Sequence, residues 1–337
     1  MKLLLKEKNT YTFLKNLIVL TVTITLIISC KSEPKNTKLS GAIFGTSYSI
    51  IYDLDTNYQK QFDSLFYVIN KSMSTYQANS IISKLNRNEI SEVDSHFITV
   101  FNTSKKIHQE TNGVFDPTIG TIVNAFGFGP EKKIAQLDSL KIDSLMQFVG
   151  FSKITASNTN ILKPKGTFID FNAIAKGYAV DVIANFLERQ SVANYVVEIG
   201  GEIRVKGINT EKQSAWTVGI DKPNFNGTQS VLKSFSISEN AMATSGTYRK
   251  FKIDESGNRY AHIINAKTGY PSKSNILSVS VLAKDCMTAD AYATAFQAMG
   301  LAKTEAFLKS HQALKVFIVF ENKNNELETI TFNGFPE

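Results

Sequence analysis

Between residues 195 and 282 the sequence breaks into seven short β-patterned runs: 195–199, 202–208, 215–220, 231–237, 248–253, 259–264 and 277–282. Turns containing Gly, Asn or Pro separate most of them. Strands this short and this closely spaced pair as antiparallel hairpins. Helical periodicity lies mainly on either side, over 58–73, 96–111, 173–189 and 287–299, with further strands over 41–54 and 315–320. This irregular alternation excludes a regular βαβ repeat. No G-x-G-x-x-G follows a strand, and no Walker A sequence is present, so neither of the two commonest phosphate cradles is available. Residues 39–337 contain no Pro/Gly/Ser-rich break and no internal repeat, which predicts one mixed α+β domain.

The N-terminal segment reads as an address. Lys2, Lys6, Lys8 and Lys15 precede the uncharged apolar run 17–28, which is twelve residues long. A membrane-spanning helix needs about 20 such residues, so the run fits the apolar part of an export signal better. It ends Ile27-Ile28-Ser29-Cys30, like a bacterial lipobox in which the cysteine becomes lipid-modified and N-terminal. We expect a signal over 1–29, lipidation of Cys30, and a flexible Lys-, Ser-, Pro- and Asn-rich tether over 30–38. The chain would then be an exported lipoprotein of the bacterial envelope, membrane-anchored and facing the periplasm.

Charge supports that division. The whole chain carries +7, but residues 1–38 hold seven lysines and two glutamates, leaving only +2 for the rest. A nucleic-acid binder should carry its basic excess on the folded domain, so no nucleic-acid partner is expected. Two cysteines and four histidines are too few for a Cys-rich zinc module or an iron–sulfur cluster. Any metal chemistry must rely mainly on oxygen ligands. With Cys30 lipidated, Cys286 has no disulfide partner. A domain of about 300 residues buries enough surface to stand without one.

Several segments are richer in polar residues than packing requires. They include Met73-Ser74-Thr75-Tyr76, Phe115-Asp116-Pro117-Thr118, Phe126-Gly127-Phe128, Asp170-Phe171-Asn172-Ala173-Ile174-Ala175-Lys176-Gly177-Tyr178 and Glu198-Ile199-Gly200-Gly201-Glu202. Others are Thr244-Ser245-Gly246, His262-Ile263-Ile264 with Thr268-Gly269-Tyr270-Pro271, and Ala289-Asp290-Ala291 with Ala293-Thr294. Each has a plain structural reading by itself. Asp170 could cap the following helix, and Asp290 and Thr294, four apart, simply share a helix face.

In this order and spacing, however, the segments resemble the ApbE family of bacterial FAD:protein FMN transferases over nearly all of residues 39–335. The resemblance implies a T-fold-like α+β domain. It implies cleavage of FAD at its pyrophosphate, transfer of FMN to a threonine hydroxyl of a target protein, release of AMP and a need for Mg²⁺. Targets would be membrane-associated redox subunits of the Nqr and Rnf type. By resemblance, Asp290 and Thr294 supply side-chain oxygens to magnesium and Ala173 a backbone carbonyl. Mg²⁺ prefers such oxygen donors together with substrate phosphate. Asp170 and Lys176 would contact FAD, the lysine near the pyrophosphate. Tyr76 would stack on a ring of FAD, the Phe126-Gly127-Phe128 turn would approach it closely, and Phe44, Thr244, Ser245, Gly246 and Ile264 would line the site. His262 is expected as the base for the acceptor hydroxyl, and Asp290 could share that role through the metal.

Some positions depart from the family pattern. Phe44 replaces methionine, Phe126 tryptophan, Ile81 glutamate, Asn172 glycine, and Asn265-Ala266 an Asp-Pro pair. None removes a proposed metal side chain. Two other readings follow from the same residues: a magnesium-dependent FAD pyrophosphatase, with water in place of threonine, and a non-catalytic periplasmic flavin-binding lipoprotein.

Overall fold

Strand Ile276–Ala283 is buried at all eight positions, which requires a sheet covered on both faces. The computed structural model describes residues 35–248, 251–253 and 259–336, together with Lys15 and Asn16. Apart from Lys15 and Asn16, the expected signal lies outside the described residues, as do Cys30 and the start of the tether.

In chain order the first elements are β1 (Thr37–Ile43), β2 (Thr46–Tyr52), α1 (Gln59–Met73), α2 (Ile81–Asn86), α3 (Ser95–Glu110), α4 (Gly120–Ala125) and α5 (Ser139–Met146). Then come β3 (Thr155–Ser157), β4 (Asn160–Leu162), α6 (Ala175–Arg189), β5 (Tyr195–Ile199), β6 (Glu202–Lys206), β7 (Ile208–Asn209), β8 (Ser214–Asp221), β9 (Val231–Ile237) and β10 (Ala241–Gly246). The last are β11 (Phe251–Ile253), β12 (Arg259–Ala261), β13 (Ile276–Ala283), α7 (Cys286–Met299), α8 (Leu301–Leu308), β14 (Lys315–Glu321) and β15 (Leu327–Phe332). The fold is α+β with antiparallel sheets. Its main sheet has eight strands in the order β1-β2-β5-β6-β10-β13-β14-β15.

One face of this sheet packs on helices. Ile50, Val197, Ala243, Val279, Val281 and Ile318 meet Phe62 and Phe66 of α1, Ile183 and Leu187 of α6, and Ala289, Ala293 and Phe296 of α7 in one apolar cluster. Strand periodicity sends alternate residues to the other face. There Met242, Leu282, Phe317 and Val319 meet Trp216, Val218, Phe235 and Ile237 of the three-stranded sheet β7-β8-β9. That second cover accounts for the unbroken burial of β13.

The structure redraws several expected elements. The strand expected over 41–54 is a hairpin. Phe44 (φ 52°) and Gly45 (φ 75°) form its two-residue turn, the geometry whose twist suits tight hairpins. Strand 202–208 stops at Lys206, because Gly207 turns the chain at φ 62°. The strands expected over 248–253 and 259–264 shorten to β11 and β12. Strands β10 and β15, with helices α2, α4, α5 and α8, were not anticipated. Helix α3 begins after Asp94, whose side chain accepts the Phe97 N–H at 2.8 Å.

Candidate active site

Helix α7 is rich in alanine, a strong helix former, and its small side chains admit close neighbours. Asp285 caps it, accepting the Thr288 N–H at 2.8 Å. Asp181 of α6 also accepts the Cys286 and Met287 N–H groups, at 3.0 and 2.8 Å. Arg204 of β6 holds Asp181 from behind at 3.0 Å. The first turn of α7 is thus fixed to α6 and the sheet.

The return contact runs from α6 to α7. Helix α6 has no side-chain cap at Ile174, so its early N–H groups need other partners. The Gly177 N–H donates to Oδ2 of Asp290 at 3.0 Å, and the Ala173 carbonyl one turn earlier accepts no hydrogen bond among the described residues. Asp290 is 4% exposed. Burial raises its carboxyl above the usual range, against the pull of the Lys176 ammonium and the Gly177 N–H. One turn along α7, the Thr294 hydroxyl lies 2.8 Å from that of Ser245 on β10. Asp290 and Thr294 therefore share the face of α7 that meets α6 and β10.

These groups suit a hard divalent cation: a carboxylate, a hydroxyl and an unclaimed backbone carbonyl. Among the described residues no cluster of three or more His, Cys, Asp or Glu side chains is present. A metal here would rest on mixed oxygen donors.

Lys176, expected to contact FAD, is paired with a buried carboxylate. Its Nζ lies 2.5 Å from Oε1 of Glu202. Glu202 is buried and went unremarked in sequence beyond its place after Gly200-Gly201. A carboxylate opening a strand gives no hint of burial; the tertiary position of the β5–β6 hairpin does. The register of β10 places Thr244 on the face opposite Ser245, where its hydroxyl meets Ser280 at 2.7 Å.

A second group surrounds the Phe126-Gly127-Phe128 turn. Gly127 has φ 72°, and a Cβ there would meet Lys133 at 2.7 Å, so the turn needs glycine. Lys252 of β11 donates to the Phe126 and Gly127 carbonyls at 2.9 and 2.8 Å. The same ammonium lies 4.7 Å from the Phe128 ring centroid. His262 meets Phe128 edge-on, with centroids 6.2 Å apart, and Ile264 packs with Ile122 and Val149 beneath Phe126.

Tyr76 is 61% exposed, an aromatic face open to a ligand. Partial desolvation and, after it, the nearby Asp170 carboxylate raise its phenol above the usual value. Asp170 does not cap α6; its carboxylate accepts the Asn172 backbone N–H at 2.7 Å and the Asn172 side-chain amide at 3.1 Å. Phe44 packs edge-on against Phe66 at 5.8 Å, at the tip of the β1–β2 hairpin. The Phe115-Asp116-Pro117-Thr118 segment is a brace: Asp116 accepts the Thr118 N–H and hydroxyl and the Phe151 N–H.

One pH prediction arises here. Burial pushes the Glu202 carboxyl from 4.5 up to about 7, with Lys176 opposing and Asp290 adding to the rise. Between those two values the folded chain therefore holds a proton at Glu202 that the unfolded chain has lost. Stability falls as pH climbs from about 4.5 through about 7 and levels above that window. Thermal melts without divalent cation at pH 5, 6, 7 and 8 should show this decline. Glu202→Gln should make it shallower, with a remainder from Asp181, which burial raises to about 6; an equal slope in that variant would assign the decline elsewhere.

The chain has known relatives. The ApbE family profile matches residues 44–318. Over 319 residues the chain is 34% identical to an FAD:protein FMN transferase of Vibrio cholerae, covering 91% of this chain and 94% of that protein. It is also 34% identical to one of Haemophilus influenzae over 318 residues, covering 88% and 90% of the two chains. The solved structure of the flavin transferase ApbE from Vibrio cholerae superposes with a TM-score of 0.79 at 32% identity. That match covers 88% of this chain and 97% of the other.

Proposed function

This chain belongs to the ApbE family, and from that premise we propose that it is an FAD:protein FMN transferase dependent on Mg²⁺. The carrying observation is the α6–α7 junction, where the Gly177 N–H meets the buried Asp290 carboxylate and the Thr294 hydroxyl lies one turn further along α7; with the Ala173 carbonyl, these oxygens would hold one cation. Magnesium bound by these groups would neutralise charge on the FAD pyrophosphate and the departing phosphate.

The chain's own residues do the rest. Tyr76 presents an open aromatic face to a ring of FAD. Asp170, held by Asn172, stands beside it and contacts the nucleotide. The Phe126-Gly127-Phe128 turn, pinned by Lys252, lets backbone approach the cofactor closely, and Ile264 supports it from beneath. Ser245 fixes the Thr294 hydroxyl.

The acceptor threonine oxygen attacks the phosphorus on the FMN side. The new bond is P–Oγ, the bond broken is from that phosphorus to the bridging oxygen, and AMP leaves with the bridging oxygen. His262 takes the hydroxyl proton. Such transfer depends more on positioning and charge neutralisation than on covalent help.

The acceptor is a threonine on a membrane-associated redox subunit of the Nqr or Rnf type. The enzyme meets it from the periplasmic side, tethered through lipid on Cys30. Support for this location is the basic, apolar and Cys-terminated pattern of residues 1–30.

The test uses residues 31–337 with FAD, Mg²⁺ and an acceptor domain bearing the target threonine, reading intact mass and AMP. We expect the acceptor to gain one FMN, with the gain lost on removing its threonine or adding chelator. AMP with free FMN and an unmodified acceptor would replace the transferase with a pyrophosphatase. FAD retained without AMP would leave only a flavin binder.

A further inference from the structure

Glu202 is a buried carboxylate that the chemistry above does not use. It opens β6 directly after the Gly200-Gly201 turn and is 3% exposed. Its Oε1 meets the Lys176 ammonium at 2.5 Å, while Oε2 has no hydrogen-bond partner among the described residues. A half-satisfied buried carboxylate costs stability. As a brace for the fold alone it is a poor choice, since apolar residues of similar volume hold a core as well or better.

Its neighbours suggest a different use. Lys176 directly precedes Gly177, whose N–H holds Asp290. The Lys176 ammonium feels both buried carboxylates, Glu202 and Asp290. Two carboxylates thus compete for one ammonium, and the geometry gives it to Glu202. Asp290 keeps a neutral N–H on Oδ2. A neutral donor on one oxygen is compatible with a cation on the other; an ammonium in that place repels the cation.

We propose that Glu202 is a positioning residue that holds the Lys176 ammonium off Asp290, keeping that carboxylate open to a divalent cation. The inference rests on the reading of Asp290 as a cation ligand. The acidic residue after Gly200-Gly201 thereby acts on cation affinity.

The test is Mn²⁺ binding to the protein at pH 8 without FAD, read as free Mn²⁺ by electron paramagnetic resonance. Wild type should bind and Asp290→Asn should not; equal binding by these two would overturn the cation reading itself. Glu202→Gln frees the ammonium to pair with Asp290. An opposite charge at that range shifts a carboxylate's proton affinity by about tenfold or more, and Mn²⁺ binding should weaken at least about tenfold on the same scale. Lys176→Met added to Glu202→Gln removes the competitor and should restore binding toward wild type. In turnover, Glu202→Gln should raise the apparent KM for magnesium while kcat at saturating metal changes little.

Unchanged Mn²⁺ binding in Glu202→Gln would overturn the proposal, and so would a double variant as weak as the single one. Circular dichroism checks that each variant folds. If Glu202→Gln does not fold, Glu202→Asp takes its place. Its shorter arm loosens the pair while keeping the charge, so a smaller loss in the same direction is expected. Wild-type affinity there would count against the proposal.

Discussion

Asp290→Asn should reduce FMN transfer by at least about a thousandfold while leaving the chain folded. Charge stabilisation by a bound metal ion is worth several kcal/mol in the transition state, and each ~1.4 kcal/mol is a factor of ten in rate. Asparagine keeps a side-chain oxygen that can accept the Gly177 N–H, now met at 3.0 Å by Oδ2 of Asp290. It also keeps the volume at a position only 4% exposed. What it removes is the charge. Neutralising a carboxylate whose proton affinity is already raised by burial relieves a desolvation cost, so the apo protein should melt no lower than wild type. The combination is diagnostic. Activity lost with stability kept or raised places the negative charge in the chemistry. A joint loss of both would make Asp290 a structural cap for α6, and undiminished AMP release would remove it from the metal site. The measurements are AMP release under saturating FAD and Mg²⁺ and a thermal melt of each protein.

The contrast between Asp290 and Glu202 shows what the sequence made legible. Asp290 and Thr294 lie four apart in a strongly helical stretch, so their shared face followed from helical period alone. The short strands over 195–199 and 231–237 were equally readable, because their apolar residues alternate and turn residues bound them. Strand β10 escaped notice because Thr244-Ser245-Gly246 lacks apolar alternation. Its two hydroxyls instead serve Ser280 on one face and Thr294 on the other. The β1–β2 hairpin was read as one strand because Phe44 gives no turn signal, though it takes a positive φ. The polar residues of Phe115-Asp116-Pro117-Thr118 serve the fold, since the Asp116 carboxylate accepts from Thr118 and Phe151. Glu202 has no local signature at all. Its burial and its hold on Lys176 exist only once the β5–β6 hairpin lies beside the first turn of α6. Periodicity reports which side of an element faces the core; it cannot report which two elements bring a lone charge to its partner.

Gly177→Ala tests that junction directly, and its sign separates two accounts of the glycine. In an isolated helix, alanine for glycine stabilises by about 1 kcal/mol. Here a Cβ on residue 177 would stand 2.3 Å from the Cys286 carbonyl oxygen, 2.7 Å from its carbonyl carbon and 2.8 Å from Cβ of Asp290. The first two neighbours are backbone at the start of α7, fixed by Asp181 and Asp285. They cannot swing aside as a side-chain tip would, so the helices must separate. Overpacking of this kind costs about 1–3 kcal/mol, more than the propensity gain, and for a domain of this size a fall of roughly 2–4 °C in Tm goes with each kcal/mol. The larger effect should fall on function. Separation of α6 from α7 moves the Ala173 carbonyl, carried by the start of α6, away from Asp290 and Thr294, carried by α7. A misplacement near 1 Å at reacting groups can cost about a hundredfold in rate. We therefore expect Gly177→Ala to lower Tm and to raise the apparent KM for magnesium, with transfer reduced by about a hundredfold at fixed low metal. Partial recovery at high Mg²⁺ should follow, because the ligands are displaced rather than deleted. Gly177→Ser should behave alike, since it also adds a Cβ. A variant more stable than wild type with full activity would mean that α6 and α7 do not meet at this glycine and that the cation ligands are set by some other contact.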